Sequence, residues 1–405
     1  MPTGESVPNE TNPFKPRMLL LLSLGHLITD IYQGALPAVL PFLKDRLSLS
    51  YAMTGVILMA ANFTSSLVQP VFGFFSDRGK KPLLLPLGCL VAGLGFSFLF
   101  VSDQYEWILA LVVVSGLGAA SYHPEGFKTA HFFTGARRAT GVAIFSVGGN
   151  LGFAIGPLLA ISIIQYLSPN AMPIIILPSL CFTVLIVFSW RAISHPAEIP
   201  AEQRRKAQTD EPVQTKWLPL SLIIAVVIAR SWTQMGLLSY IPFYYINYLH
   251  GDALYAGKLV TLFLLGGAVG TLAGAPVADR WGHKRFLVGS MFLSSLIFPL
   301  IFAVNGVLLF IVLGLLGFVV VSTFSVTIVM AQHLMPRHLG VASGLTVGFA
   351  VGAGGICVTL LGVLADRFGV PFALQSIAVL PILGFFLSTL IPYPDNVAAA
   401  AKAQR

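Results

Sequence analysis

Charge is scarce in this chain. Asp, Glu, Lys and Arg make up 10% of its 405 residues, where a soluble globular domain carries about 25%. That shortage excludes a cytosolic enzyme, a disordered segment and a domain built to hold nucleic acid. Cysteine is nearly absent too: Cys89, Cys181 and Cys357 each lie inside an apolar run and offer no disulfide or metal framework. There is no His-Glu-x-x-His pair and no nucleophile beside a convincing base, which argues against an intramembrane hydrolase built on His26, Asp30, His123 and Glu125. What fills the chain is hydrophobic residues at 56%, with 39 Gly and a mean hydropathy of +0.83. The solvent for such a chain is lipid. At about 20 apolar residues per crossing, its length holds about a dozen membrane helices.

Apolar runs between polar breaks place these at 18–42, 51–72, 83–101, 107–127, 140–164, 172–190, 218–244, 255–277, 286–304, 307–331, 340–364 and 371–391. The polar first 16 residues and the lack of a small-residue cleavage pattern make the first run a retained span rather than a signal peptide. Twelve spans put both termini on one side. The tails and even-numbered loops hold 19 of the 24 Lys and Arg, the other loops four, and span seven one, Arg230. The positive-inside rule then sets both termini in the cytoplasm, with a bacterial cytoplasmic membrane as the expected location. The net charge of +8 is thus a topology signal, not the footprint of a nucleic acid.

The longest polar break, Ser194 to Lys216, contains Pro196, Pro200, Pro212 and a mixed-charge run, and reads as a linker between six-span halves at 1–193 and 217–405. Repeated segments support duplication. Gly73-Phe-Phe-Ser-Asp77-Arg78-Gly79-Lys80-Lys81 after span two is matched by Ala275-Pro-Val-Ala-Asp279-Arg280-Trp281-Gly282-His283-Lys284-Arg285 after span eight; Asp77 and Asp279 are 202 residues apart, as are His131 and His333. Duplicated halves are a device by which secondary transporters present one central site to either side in turn. A channel, the other option for such a chain, would pass ions far faster and without saturation.

These segments resemble the major facilitator superfamily along nearly the whole chain. The family's signature G-x-x-x-D-R-x-G-[RK]-[RK] is met by Gly73, Asp77, Arg78, Gly79, Lys80 and Lys81 with one residue missing before Gly79; the second copy, Asp279, Arg280 and Gly282, keeps that spacing but has Ala275 for Gly. The resemblance implies conformational gating at these residues, with the Asp at a helix N-terminus or paired with Arg; the plainer reading is topogenic charge. A third match, Asp366-Arg367-Phe368-Gly369, falls on the outer side and is read as a loop pair. In span five, Gly149, Gly152 and Gly156 share a face ahead of Pro157, which resembles the family's antiporter signature and favours export; close helix packing alone would explain the same residues. Ser23-Leu-Gly25-His26-Leu-Ile-Thr29-Asp30-Ile-Tyr32-Gln33 and Tyr122-His123-Pro124-Glu125 resemble the fosmidomycin-resistance branch, whose members export a small phosphonate antibiotic in exchange for protons. The fold so implied is an all-α membrane protein of two pseudo-symmetric six-helix bundles. The expected activity is proton-coupled antiport of a small organic anion, functional as a monomer, without cofactor or enzymatic chemistry. Uptake symport of an anionic metabolite and export of a metal-chelating metabolite are the alternatives.

Residue chemistry supplies site candidates. Asp30 lies mid-span, where an unpaired carboxylate is costly, and His26 is one turn earlier on the same face. The two read as a proton site or as a polar pair that positions helices, with Gln33 a hydrogen-bonding neighbour. His123 and Glu125 flank Pro124, expected to loosen the helix; they read as a relay or gate, or as a helix-end cap and an ion pair with Lys128. Two apart, they cannot share a helix face. Arg230 keeps its charge at mid-depth and must pair with Asp30, Glu125 or a bound anion, for which its planar fork is suited. Gln234 and Tyr240 follow it as further substrate-binding candidates, although aromatic residues here more often pack or anchor.

Overall fold

The computed structural model describes residues 13–49, 51–79, 81–194, 217–250 and 253–393. The expected linker therefore lies, beyond Ser194, outside the described residues. Helices make up the ordered structure, and no strand occurs among the described residues.

Twelve apolar helical segments follow one another in two sets of six, ten of them long enough to cross a membrane and two shorter. The first set is α1 (Pro16–Leu47), α2 (Val56–Arg78), α3 (Leu84–Ser97), α4 (Tyr105–His131), α5 (Arg138–Tyr166) and α6 (Pro169–Phe188). The second is α7 (Trp217–Ile246), α8 (Lys258–Trp281), α9 (His283–Phe302), α10 (Val307–Leu334), α11 (from Leu339, with its last stretch Gly354–Phe368) and α12 (Val370–Leu390).

Burial is inverted relative to a water-soluble protein. Phe188, Leu158 and Phe386 stand on the outside while His26, Asp30, His123, Glu125 and Arg230 are buried. In hydrocarbon there is no water to satisfy polar groups, so they turn inward and the apolar side chains face out. Each set has its own packed interior. One cluster runs through α1 to α6, from Leu19 to Ile186, and is joined by Ile328 and Val329 of α10. Two more fill the second set, one around Met291 and Leu334, joined by Ala139 and Ala143 of α5, and one around Phe263 and Leu374.

Several boundaries differ from those expected. The helix of span two runs on to Arg78 past residue 72, but it is interrupted by a π-helical turn at Phe63–Leu67. Span three ends as a helix at Ser97 rather than 101. Span eleven is broken: Leu339–Ser343, a π-helical turn at Gly344–Phe349, then Gly354–Phe368. Apolar run length reports where lipid begins, and it is blind to such turns. Pro124 does not loosen α4, which is continuous from Tyr105 to His131.

Candidate functional site

α1 carries the centre of the site. His26 Nε2 stands 3.3 Å from Asp30 Oδ2, one helical turn away. His123 Nε2 of α4 reaches Asp30 Oδ1 at 2.9 Å, and Gln33 Nε2 donates to the same oxygen at 2.9 Å. His123 thus completes the group, although spacing within either helix could not reveal that α1 and α4 meet there.

The outer nitrogens of the two imidazoles fix their tautomers. His26 Nδ1 lies 3.0 Å from the Phe145 carbonyl oxygen, which only accepts, so His26 carries a proton on Nδ1. His123 Nδ1 lies 3.1 Å from Gln69 Nε2, which only donates, so His123 carries its proton on Nε2 and gives it to Asp30. Between His26 Nε2 and Asp30 Oδ2 there is then one proton position. Filled, it is an imidazolium–carboxylate contact or a carboxyl hydrogen bond; empty, it opposes two lone pairs. The ligand atoms of His26, Asp30 and His123 lie within 4.8 Å of one another, as a metal would need. A metal, however, needs the lone pair of His123 Nε2, which the Gln69 contact keeps protonated, so the donor set fits a proton better than a metal.

α5 closes over this pair with glycine. A Cβ at Gly149 would come 2.5 Å from Asp30 Oδ2 and 2.6 Å from His26 Nε2. At Gly152 it would come 3.0 Å from Asp30 Cβ, and at Gly156 2.9 Å from Ala35 N. The glycine face therefore lies directly on α1, and α5 continues through Pro157 to Tyr166.

Glu125 points away from His123. Its Oε1 lies 3.4 Å from Lys128 Nζ, an electrostatic contact without hydrogen-bond alignment, while Lys128 donates to the Ser76 carbonyl and approaches Ser76 Oγ at 3.3 Å. The ion pair with Lys128 is thus formed, and Glu125 is not joined to Asp30.

Arg230 on α7 pairs with neither expected carboxylate. Asp30 is engaged by His26, His123 and Gln33, and Glu125 by Lys128. The guanidinium is buried, its Cζ 5.2 Å from the centre of the Phe324 ring, and Nε and Nη1 find no acceptor on the protein among the described residues. Phe324 lies 6.5 Å from Phe127, and Phe127 5.7 Å from His26, ring centre to ring centre. Two aromatic rings, one from each set of helices, therefore stand between the cation and the proton pair. Gln234, one turn beyond Arg230, is half-buried. Tyr240 is committed elsewhere: its hydroxyl donates to the Val358 carbonyl at 3.2 Å.

The duplicated signature forms two reciprocal latches. Asp77 Oδ1 accepts from Gly340 N at 2.7 Å and Oδ2 from Val341 N at 3.0 Å, in the first turn of α11. Asp279 accepts from Ala139 N and Thr140 N, both at 2.9 Å, and from Thr140 Oγ1 at 2.7 Å, in the first turn of α5. Each carboxylate so caps a helix of the other set, where free N–H groups and the helix dipole favour negative charge. Gly73 and Gly340 meet backbone to backbone, a Cβ on Gly340 coming 2.7 Å from Gly73 O. Of the basic residues, Arg78 lies over the Phe74 ring at 3.9 Å, and Arg280 is exposed. Gly282, at φ +100°, makes the sharp reversal between α8 and α9 that a side chain would oppose. Asp366 and Arg367 end α11 at the pole away from the latches. On the latch side Gln332, missed in the sequence because it is one amide before His333, bonds across the sets: its Oε1 accepts from His131 Nδ1 at 3.0 Å and its Nε2 donates to the Phe127 carbonyl at 3.3 Å.

The family model for the Major Facilitator Superfamily matches residues 22–346, and again 223–404. The chain belongs to the Major Facilitator Superfamily. It is therefore a multi-pass membrane transporter of small molecules and not an enzyme. Two bacterial facilitators align with 93% of it: an uncharacterised transporter of Bacillus subtilis, 34% identical over 379 residues and 92% of its own length, and the fosmidomycin resistance protein of Escherichia coli, 32% identical over 384 residues and 92% of its length. Among solved facilitators, a variant of the Escherichia coli fucose:proton symporter superimposes with a TM-score of 0.69 at 13% identity, covering 93% of this chain and 99% of that one, which shows a shared fold.

Proposed function

We propose that this facilitator is a proton-coupled antiporter that exports a small organic anion, of the phosphonate kind that fosmidomycin represents, across a bacterial cytoplasmic membrane with both termini inside. The observation that carries the reading is the single proton position between His26 Nε2 and Asp30 Oδ2, buried at the centre of the first bundle. A group that holds one proton and loses a stabilising contact when it leaves is what a coupled carrier requires. Arg230 supplies the second requirement. A buried guanidinium with unsatisfied donors is costly in a membrane, and a phosphonate or carboxylate would satisfy it bidentately. The relationship to the fosmidomycin resistance protein supports both the substrate class and the direction, as does the glycine face of α5. The latches at Asp77 and Asp279, which tie the two sets of helices together, serve as the cytoplasmic gate. Gln234 extends the anion site, Gln33 orients Asp30, and Glu125 with Lys128 lies beside the gate. The two halves, 1–193 and 217–405, rock about the central site as units joined by the 194–216 linker, in a chain that works as a monomer.

The test is transport in proteoliposomes under an imposed pH gradient, over a panel of small anions that includes fosmidomycin. Saturable movement of at least one phosphonate or carboxylate, opposite to the proton gradient and abolished by a protonophore, is expected. Movement in the same direction as protons would replace antiport by symport.

A further inference from the structure

Gln69 is buried where α2 crosses α11, and its amide touches both the proton site and the seam between the two sets of helices. The crossing is irregular on both sides. α2 has its π-helical turn at Phe63–Leu67, immediately before Gln69, and α11 has its own at Gly344–Phe349, packed against the first. Such turns inside α-helices are frequent at functional sites.

Gln69 Nε2 donates to the Ser65 carbonyl at 2.7 Å and to His123 Nδ1 at 3.1 Å. Reversing the amide would set Oε1 against the Ser65 carbonyl, so the network itself assigns the nitrogen. Oε1 accepts no bond among the described residues; packing holds the amide on that side. The packing comes from α11 of the opposite set. A Cβ at Gly348 would come 2.8 Å from Gln69 Cδ, and one at Gly344 2.8 Å from the Gln69 backbone carbonyl. The same pair of helices carries the Asp77 latch to Gly340 and Val341, about two helical turns along α2.

We propose that Gln69 is a positioning residue linking the proton site to the cytoplasmic gate. With α2 seated on the glycine face of α11, its amide fixes His123 as the tautomer that donates to Asp30. Parting α2 from α11 removes the wall that holds the amide, and with it the constraint on His123. The surroundings of Asp30 then differ between gate-closed and gate-open states, which linkage demands of any carrier that couples proton binding to a conformational change. Of the polar side chains in contact with His123, Asp30 takes Nε2, His26 meets it ring to ring with its own Nδ1 at the Phe145 carbonyl, and Tyr122 has given its hydroxyl to the Leu22 carbonyl; none of these offers Nδ1 a donor in place of Gln69. The inference rests on the proton role proposed for Asp30, yet its test does not depend on transport.

The measurement is nitrogen NMR of the purified full chain labelled with 15N-histidine, the His123 signal being assigned by its loss in His123→Gln. The wild-type protein is expected to show His123 protonated at Nε2 and bare at Nδ1. Gln69→Leu should lose that single tautomer, and Gln69→Glu, which replaces a donor by an acceptor, should add a proton at Nδ1. Asp77→Asn, remote from His123, should shift it part of the way toward the Gln69→Leu spectrum by loosening the latch. A wild-type His123 protonated at Nδ1 would overturn the proposal. So would a monodisperse Gln69→Leu protein with an unchanged His123 signal, or Asp77→Asn with a wild-type spectrum under conditions where its gate is shown open by cysteine labelling. If these tautomer results hold while Asp30→Asn still couples transport to a pH gradient, the proton role of Asp30 fails and the Gln69 link to the gate stands.

Discussion

Replacing Gly149 by Ala adds one methyl group at the most crowded point of the proton site. Its Cβ would sit 2.5 Å from Asp30 Oδ2, 2.6 Å from His26 Nε2 and 2.8 Å from His26 Cε1, where ordinary contact begins at 3.4 Å. The carboxylate oxygen must therefore retreat by 0.9 Å or the helices must separate. Neither partner retreats freely. His26 is held through Nδ1 by the Phe145 carbonyl on α5 itself, and Asp30 by His123 and Gln33. Overpacking of this kind costs about 1–3 kcal/mol, against which alanine returns about 1 kcal/mol of helix propensity. Folding should thus survive with a modestly lowered melting temperature. The 3.3 Å contact between His26 and Asp30 should not survive, and a loss of about 1.4 kcal/mol at that contact is about tenfold in rate. The assay is pH-gradient-driven transport in proteoliposomes of the anion that the wild-type protein moves, with Gly289→Ala as control because nothing lies within 4 Å of a Cβ there. Transport at least about tenfold slower in Gly149→Ala than in Gly289→Ala is expected. Equal rates in the two variants would refute the placement of α5 against the proton pair.

Three further outcomes are expected. Arg230→Lys keeps the charge but loses the bidentate fork and should weaken binding of the transported phosphonate or carboxylate about tenfold, with Arg230→Gln weaker still; unchanged affinity in a monodisperse Arg230→Gln protein would leave the guanidinium a structural role only. Asp77→Asn removes charge from a carboxylate that caps two N–H groups, worth about 1.5–3 kcal/mol per charged hydrogen bond, and should raise maleimide labelling at Thr346→Cys, buried in α11; labelling no faster than in the parent would show that Asp77 does not latch the gate. Thr209→Cys should react with an impermeant maleimide only after the membrane is permeabilised, and reaction in intact cells would reverse the orientation.

Much of the architecture was legible because lipid imposes a coarse rule: long apolar runs, charged breaks and a two-fold repeat at Asp77 and Asp279 already imply twelve helices in two sets. The His26–Asp30 contact was legible as well, since four residues in one helix fix it. His123 could be named but not joined to Asp30, because the meeting of α1 and α4 is a tertiary fact. Gln69 and Gln332 are single amides inside apolar runs, and only the meeting of α2 with α4, and of α4 with α10, gives them partners. Of the three partners expected for Arg230, the two carboxylates fall away for the same reason, and the bound anion is the one left open. Charge count offers it Asp30 and Glu125, whereas packing gives both of those to histidine and lysine first and sets Phe127 and Phe324 between.

The proton role of Asp30 is tested most directly by Asp30→Asn, reconstituted and driven by an imposed pH gradient. Asn is nearly isosteric and still accepts from His123 and Gln33, but it cannot take up or release the proton shared with His26. The expected result is a protein that remains monodisperse and binds the anion that the wild-type protein transports, yet shows no accumulation driven by the gradient. Gradient-driven accumulation at a near-wild-type rate in Asp30→Asn would contradict the account.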